Sequence, residues 1–129
     1  MLTSEIVTYL SGKVGSYTLN RGVMTDDVDT VVCVYEYAVT APDFKLGAQG
    51  LKFEHPSFQV VVRGAATDYD GPRAIAETVV TELSKVWTTT LSGVTYNWVQ
   101  PIQAVFWLRT DEKNRHYFAV NFRTEKVPS

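Results

Sequence analysis

The chain has few of the residue types on which most protein chemistry depends. Its 129 residues include 1 Cys and 2 His. A single cysteine builds neither a disulfide framework nor a zinc site, and Cys33 lies in the apolar run 31–35, where a small buried hydrophobe is expected. No apolar run is long enough to span a membrane, and the first residues lack the regions of a signal peptide. We therefore expect a soluble protein made in a cytoplasm.

The chain also lacks a large excess of either charge. Lys and Arg total 12 and Asp and Glu total 14, which gives a net charge of -2 without a basic stripe or tail. Such a chain has no general attraction to nucleic acid. Hydrophobic residues make up 45%, and the length suits one core, so we expect a single globular domain over residues 1–129.

Nothing in the sequence places a nucleophile beside a base. His55 precedes Pro56 in a segment rich in turn residues, and His116 begins the apolar side of a strand; no Gly-x-Ser-x-Gly turn accompanies either histidine. The strand-to-helix connection 64–71 lacks the lysine of a phosphate-binding loop. We expect no enzymatic activity and no cofactor.

Acidic residues raise the question of a metal site. Three of them cluster before the first strand: Asp26, Asp27 and Asp29. Their spacing is that of a solvated turn rather than of a ligand set, and no metal site is predicted. Asp68 or Asp70 is placed to cap a helix. A small metal-dependent nuclease using Asp68, Asp70 and Glu77 stays open as an alternative from another functional class.

Hydrophobic periodicity predicts an α+β sandwich. We expect a short helix over 3–10, one long helix that begins near Pro72 and ends near Thr88, and an antiparallel or mixed sheet of four to five strands with both helices on one face. The predicted strands are 30–37, 58–64, 94–99, 102–109 and 115–125. The segment 39–56 is predicted as a long loop or extended arm.

The last strand is expected to have one buried and one wet face. His116, Phe118, Val120 and Phe122 alternate with residues predicted to face water. Those predicted residues are Arg115, Tyr117, Ala119, Asn121 and Arg123. Aromatic rings beside planar donors are typical of a protein interface. Neighbouring strands would add Gln59, Arg63, Gln103, Trp107 and Arg109 to this side.

The predicted interface or lumen contacts are therefore residues of that polar side together with apolar residues of the long arm. The polar members are Arg63, Arg109, Arg115, Tyr117, Asn121 and Arg123. The arm contributes Phe44, Leu46 and Phe53, because apolar residues in a long loop indicate packing on a partner. Charge reversal at Arg115 or Arg123 is expected to leave the monomer folded and to impair assembly.

Two motifs resemble a family of small tailed-phage proteins. His55-Pro-Ser-Phe-Gln-Val-Val-Val-Arg-Gly64, followed by Asp68-Tyr-Asp-Gly71 and a helix, is similar to the core motif of the minor capsid and tail terminator proteins of long-tailed phages. Trp107 to Phe122 resembles the closing motif of that family, in which an Asp-x-x-x-Arg turn leads into Val-Asn-Phe. The likeness covers roughly residues 26–126. The opening Met24-Thr-Asp-Asp lacks the proline of the family pattern, and His55 stands where an arginine often precedes the proline.

The resemblance implies a structural virion protein at the neck of the phage. It implies a homo-oligomeric, hexameric ring that ends polymerisation of the tail tube and joins the tail to the head connector. Its partners would be the tail tube protein and the connector or stopper protein, and DNA would pass through the lumen without sequence-specific binding. A head-completion or stopper protein is the alternative within the virion. A generic binding module of a non-viral bacterium is a further alternative.

Overall fold

The computed structural model describes residues 2–36, 40–44 and 52–127, and the side chains of 2–36 and 54–127. Two helices and nine strands occur in this part of the chain. In chain order they are α1 (Leu2–Leu10), β1 (Thr18–Arg21), β2 (Val31–Glu36), β3 (Thr40–Phe44), β4 (Lys52–His55), β5 (Ser57–Ala66), α2 (Asp70–Leu83), β6 (Trp87–Leu91), β7 (Val94–Pro101), β8 (Phe106–Thr110) and β9 (Arg115–Lys126). Neither helix is long and apolar enough to cross a membrane.

The sheet is organised around the twelve-residue strand β9. One edge of β9 pairs antiparallel with β5, and β4 continues that edge at Glu54. The other edge is shared by β8 and β7, and β6 lies outside β7. On the far side of β5, β2 pairs antiparallel with it and β1 pairs parallel with β2. The sheet is therefore mixed, with one parallel pair.

Both helices cover one face of this sheet. The apolar positions of β2, β5 and β9 that share the face are fully buried. They are Val32, Val34, Phe58, Val60, Val62, Phe118, Val120 and Phe122. From the helices, Ile6, Leu10, Ala76, Val79 and Leu83 complete the same cluster. Burial at the i, i+3 and i+7 positions of α2 is the apolar stripe that its sequence predicts.

A close approach fixes α2 against the sheet. A Cβ added to Gly64 of β5 would lie 2.5 Å from Cγ of Pro72, which occupies the first turn of α2. Asp68 accepts a hydrogen bond from the backbone N–H of Gly71 at 3.0 Å and so caps the helix. The motif residues 63–72 therefore set the turn from strand to helix.

The predicted class is confirmed, but the strand number is understated. β1 lies in a stretch interpreted as a loose connection, and β6 occupies residues read as the end of the long helix, because Trp87 and three threonines favour a strand. Within 39–56, the segment predicted as a loop or arm, β3 and β4 pair antiparallel. The helix predicted over 3–10 spans Leu2–Leu10.

Candidate functional site: the helix-free face of the sheet

The face opposite the helices carries the polar residues singled out from the sequence. The register aligns Gln59 with Asn121 and Arg63 with Tyr117, and it aligns Arg109 with Tyr117. A register shift between Trp107 and Arg109 turns Trp107 to the other face, opposite Phe118. The prediction of one shared polar side is therefore confirmed for these residues, with the exception of Trp107.

Arg63 is one of two arginines buried on this face. Only 2% of its surface is exposed. Its Nε donates to the carbonyl of Asp29 at 2.9 Å, and Nη2 donates to the carbonyls of Thr25 and Val28. Arg63 therefore anchors the backbone of the β1–β2 connection to the middle of the sheet.

Arg115 is the second buried arginine. It begins β9 and is 4% exposed. Its Nη2 donates to Asp26 Oδ1 at 2.6 Å, Nη1 donates to Asp29 Oδ1 at 3.1 Å, and Nε donates to Asp111 Oδ2 at 2.9 Å. We call Arg63, Arg115, Asp26, Asp29 and Asp111 the arginine clamp. It ties the β1–β2 connection to the β8–β9 turn.

The clamp shifts the titration of its carboxylates. Hydrogen bonds from Lys113 and Arg115 lower the pKa of Asp26 to about 2. Burial by itself would raise the pKa of Asp111, but hydrogen bonds from the backbone of Arg115, from Tyr117 Oη and from the Arg115 guanidinium lower it to about 2. Both groups are therefore charged at neutral pH, which keeps the clamp closed.

Beside the clamp the same face forms an open groove of about 530 Å³. We call it the sheet groove and define it by six of its lining residues. They are Met24, Tyr35, Gln59, Val61, Arg109 and Tyr117. Leu108 and Val23 stand at its border, 40% and 70% exposed. An apolar floor with a few polar groups is typical of a recognition surface.

Two side-chain amides on this face have no hydrogen-bond partner among the described residues. Asn121 is 8% exposed, and its Oδ1 is buried without a donor. Gln59, its cross-strand neighbour, is half-buried. A buried acceptor without a partner costs about 1–3 kcal/mol, so such a group calls for a specific explanation.

The predicted contact residues separate into two groups. Arg109 and Arg123 are exposed, and neither forms an ion pair with a described residue. Arg63, Arg115, Tyr117 and Asn121 are buried, so the expectation that they face water is wrong: the β1–β2 connection and β8 cover this part of β9. Leu46 lies outside the described residues, and of Phe44 and Phe53 only the backbone is described.

Four of the acidic residues considered for a metal have other partners. Asp26 and Asp29 bind Arg115, Asp68 caps α2, and Glu77 lies 4.0 Å from Arg73. In the described part of the chain, no group of three or more His, Cys, Asp or Glu side chains is arranged so that it could hold a metal ion.

Sequence reasoning missed the clamp because its charges come from separate segments. The pairing of Asp26 with Arg115 spans 89 positions, and no local pattern announces such a contact. One available signal was the number of acidic residues just before β2, which is larger than a solvated turn requires. The Asp-x-x-x-Arg spacing at Asp111 was the other, since a carboxylate there meets the backbone N–H groups of Lys113 and Arg115.

Comparison with known proteins assigns a family to this arrangement. A family model described as bacteriophage tail terminator protein matches residues 9–128. No curated protein matches the sequence at a significant level.

Solved structures share the fold at low sequence identity. In all, 23 chains match. One comes from the virion of a native gene transfer agent particle: its TM-score is 0.70 at 15% identity, covering 98% of this chain and 95% of that chain. A second chain, which bears no descriptive name, has a TM-score of 0.63 at 10% identity and covers 99% of this chain and 92% of that chain.

Proposed function

We propose, because this chain belongs to the bacteriophage tail terminator family, that copies of it form a ring at the head-proximal end of a phage tail. The chain is a structural component of the virion. The ring would be hexameric, would stop polymerisation of the tail tube and would join the tail to the head connector. The family match over residues 9–128 is the observation that carries this proposal.

Open sheet edges support assembly into a ring. β1 pairs only with β2, and β6 pairs only with β7, among the strands of the described residues. Unpaired edges invite contact with another chain, and closure of a ring covers them without leaving a free end. Each subunit would contribute one domain, and the arm 39–56 with Phe44, Leu46 and Phe53 would reach a neighbouring subunit or the tube.

The exposed cations are the polar contacts that this proposal retains. Arg109 and Arg123 are exposed on the face that the helices leave uncovered. Arg63 and Arg115 are satisfied inside the subunit, so their role is to hold its shape. Isolated arginines on a chain with a net charge of -2 suit a lumen that lets DNA pass, because dense cations would retain the phosphates.

The function is tested with purified components. The mass of the protein is measured alone and mixed with tail tube protein. We expect a ring with the tube protein and tubes of limited length, whereas tubes that grow without control in its presence contradict a terminator. Electron microscopy of particles that lack the protein separates it from a stopper: overlong tails indicate a terminator, and DNA-filled heads that leak indicate the stopper.

A further inference from the structure

We propose that the sheet groove is a docking site for an extended polypeptide segment that carries a carboxylate and belongs to another protein of the virion. This inference rests on the proposed function, because it names the chemistry of one of its partners. Three features of the groove support it: its residue rows, the Gln59 amide, which has no hydrogen-bond partner among the described residues, and the Arg109 guanidinium, which faces no carboxylate of those residues.

The groove floor follows rows that run across the strands. Tyr35 and Gln59 line it in the first row, which is polar. Val61 lines it in the second row, where its neighbours Cys33 and Ala119 are fully buried. The third row contains Arg63, Tyr117 and Arg109. Successive rows lie two residues apart along a strand, roughly 6.8 Å, which is also the repeat of side chains on one side of an extended peptide.

The polar row offers a side-chain amide that no described residue uses. Gln59 lines the groove and is half-buried, and its amide is not bonded to a described residue. An amide provides both a donor and an acceptor. A polypeptide presents the complementary pair at every residue, so a backbone or amide side chain entering the groove satisfies Gln59.

The third row supplies the charge. The guanidinium of Arg109 lies 4.1 Å from the centre of the Tyr117 ring and faces no carboxylate of the described residues. Arg63, in the same row, donates three hydrogen bonds to carbonyls of the β1–β2 connection, and its Nη1 lies 3.8 Å from Asp26 Oδ1. Stacking on an aromatic ring orients the guanidinium, and an oriented fork binds a carboxylate through two hydrogen bonds.

The middle row and the border select a peptide over a nucleic acid. Val61 forms the apolar floor, while Val23, Met24 and Leu108 line the groove beside it. A nucleic acid would present a repeating negative charge to a site in which the described residues supply a single free cation, Arg109. An extended segment with a polar residue at i, an apolar residue at i+2 and an acidic residue at i+4 matches all three rows.

The probe is a capped pentapeptide of sequence glutamine-threonine-valine-threonine-aspartate, titrated into the full chain by isothermal calorimetry and NMR. We expect binding with shifts confined to the groove. The matched peptide ending in asparagine should bind about tenfold more weakly, because it lacks the charge-assisted hydrogen bond to Arg109. Raising the salt concentration should reduce this difference between the two peptides.

Variants separate docking from a structural role. Arg109→Gln should weaken the aspartate peptide about tenfold and leave the asparagine peptide unchanged. Arg73→Gln, which removes an exposed arginine from α2, is the matched control and should bind as the wild type does. Gln59→Leu should weaken both peptides and leave the unfolding midpoint of the free protein unchanged, because the Gln59 amide is bonded to no described residue.

Four outcomes overturn the inference. The first two are no binding of either peptide and equal binding of both. The third is full displacement of the aspartate peptide by an oligodeoxynucleotide. The fourth is loss of self-association in Arg109→Gln without peptide binding, which would assign the groove to a second copy of the chain. Peptide binding to a protein that fails to limit tube length would retain the docking site and contradict the ring function.

Discussion

At the scale of single residues, Arg115 shows how a charged side chain near a turn serves the interior of the subunit. It is 4% exposed and contacts three carboxylates that come from two separate connections. The sequence places it on an alternating strand where an outward direction is the natural inference. The β1–β2 connection folds over that position, and the arginine is buried with its counter-charges rather than in water.

Replacement of Arg115 should therefore destabilise the folded subunit itself rather than only the contacts between subunits. We expect Arg115→Gln to lower the free energy of unfolding by about 3 kcal/mol, because it leaves the nearly buried carboxylate of Asp111 without its cation. Urea denaturation followed by circular dichroism measures the change. Arg123→Gln, an exposed arginine eight residues along the same strand, is the control and should change stability by less than about 0.5 kcal/mol. Equal stability of the two variants would contradict the clamp.

The clamp also predicts how stability depends on pH. The folded protein holds the pKa of Asp26 and of Asp111 at about 2, below the ordinary 3.8. A lowered pKa in the folded state adds stability above the ordinary value, and this is lost as pH falls through the folded value. The urea midpoint should decline from about pH 4 to about pH 2.

The variant Asp111→Asn isolates this contribution. It should be less stable than the wild type at about pH 5 and should show a smaller decline between about pH 4 and about pH 2, because the amide does not titrate. Parallel pH profiles for the two proteins would show that the acid sensitivity arises elsewhere in the chain.

At the scale of elements, the turn from β5 to α2 depends on a glycine with no room for a side chain. Gly64→Ala would bring its Cβ within 2.8 Å of both Cγ and Cδ of Pro72. We expect a loss of about 1–3 kcal/mol from overpacking. The double variant Gly64→Ala, Pro72→Ala should be more stable than the sum of the single changes predicts, because removing the ring relieves the contact. Strictly additive losses in urea denaturation would contradict direct packing.

Elements differ in how far the sequence predicts them. The helix over 70–83 and strands β5 and β9 follow from strong periodicity. The structure has both strands near the expected bounds, whereas the helix ends at Leu83, more than a turn before the predicted end near Thr88. β1 is only four residues long and depends on pairing with β2, and β6 depends on pairing with β7. Such strands have little signal of their own, since their partners supply the hydrogen bonds.

The candidate site also has one property that the sequence predicts and one that it does not. Alternation along β5 and β9 correctly predicts which residues share a face, because the period of a strand is a local property. Burial on that face depends on a covering segment distant in the chain, so the sequence cannot indicate that Arg63 and Arg115 are enclosed while Arg109 and Arg123 are exposed. The orientation of Trp107 depends on a bulge in β8, which shifts the register of its pairing with β9. The alternating pattern of the sequence does not reveal such a shift.

At the scale of the whole molecule, the subunit has one face sealed by helices and one left partly open. On the open face the clamp fixes the β1–β2 connection and the β8–β9 turn as a rigid border, and the groove lies between them. A rigid border suits repeated assembly, because each copy presents the same surface without a cost of ordering loops. Under the proposed function, Arg109 and Arg123 would be the contacts on a frame that Arg63 and Arg115 hold in place.

Arg123 tests whether an exposed arginine can serve assembly without contributing to the stability of the subunit. Because Arg123 is exposed and unpaired among the described residues, Arg123→Glu should keep the urea midpoint of the wild type and impair the control of tube length. In a ring the same reversed charge would recur at every subunit contact, so a small repulsion per contact adds up around the ring. The assay measures the length distribution of tubes grown from tail tube protein with each variant. Arg73→Glu on α2 is the matched control and should limit tubes as the wild type does; normal tube lengths with Arg123→Glu would remove this residue from the contact surface.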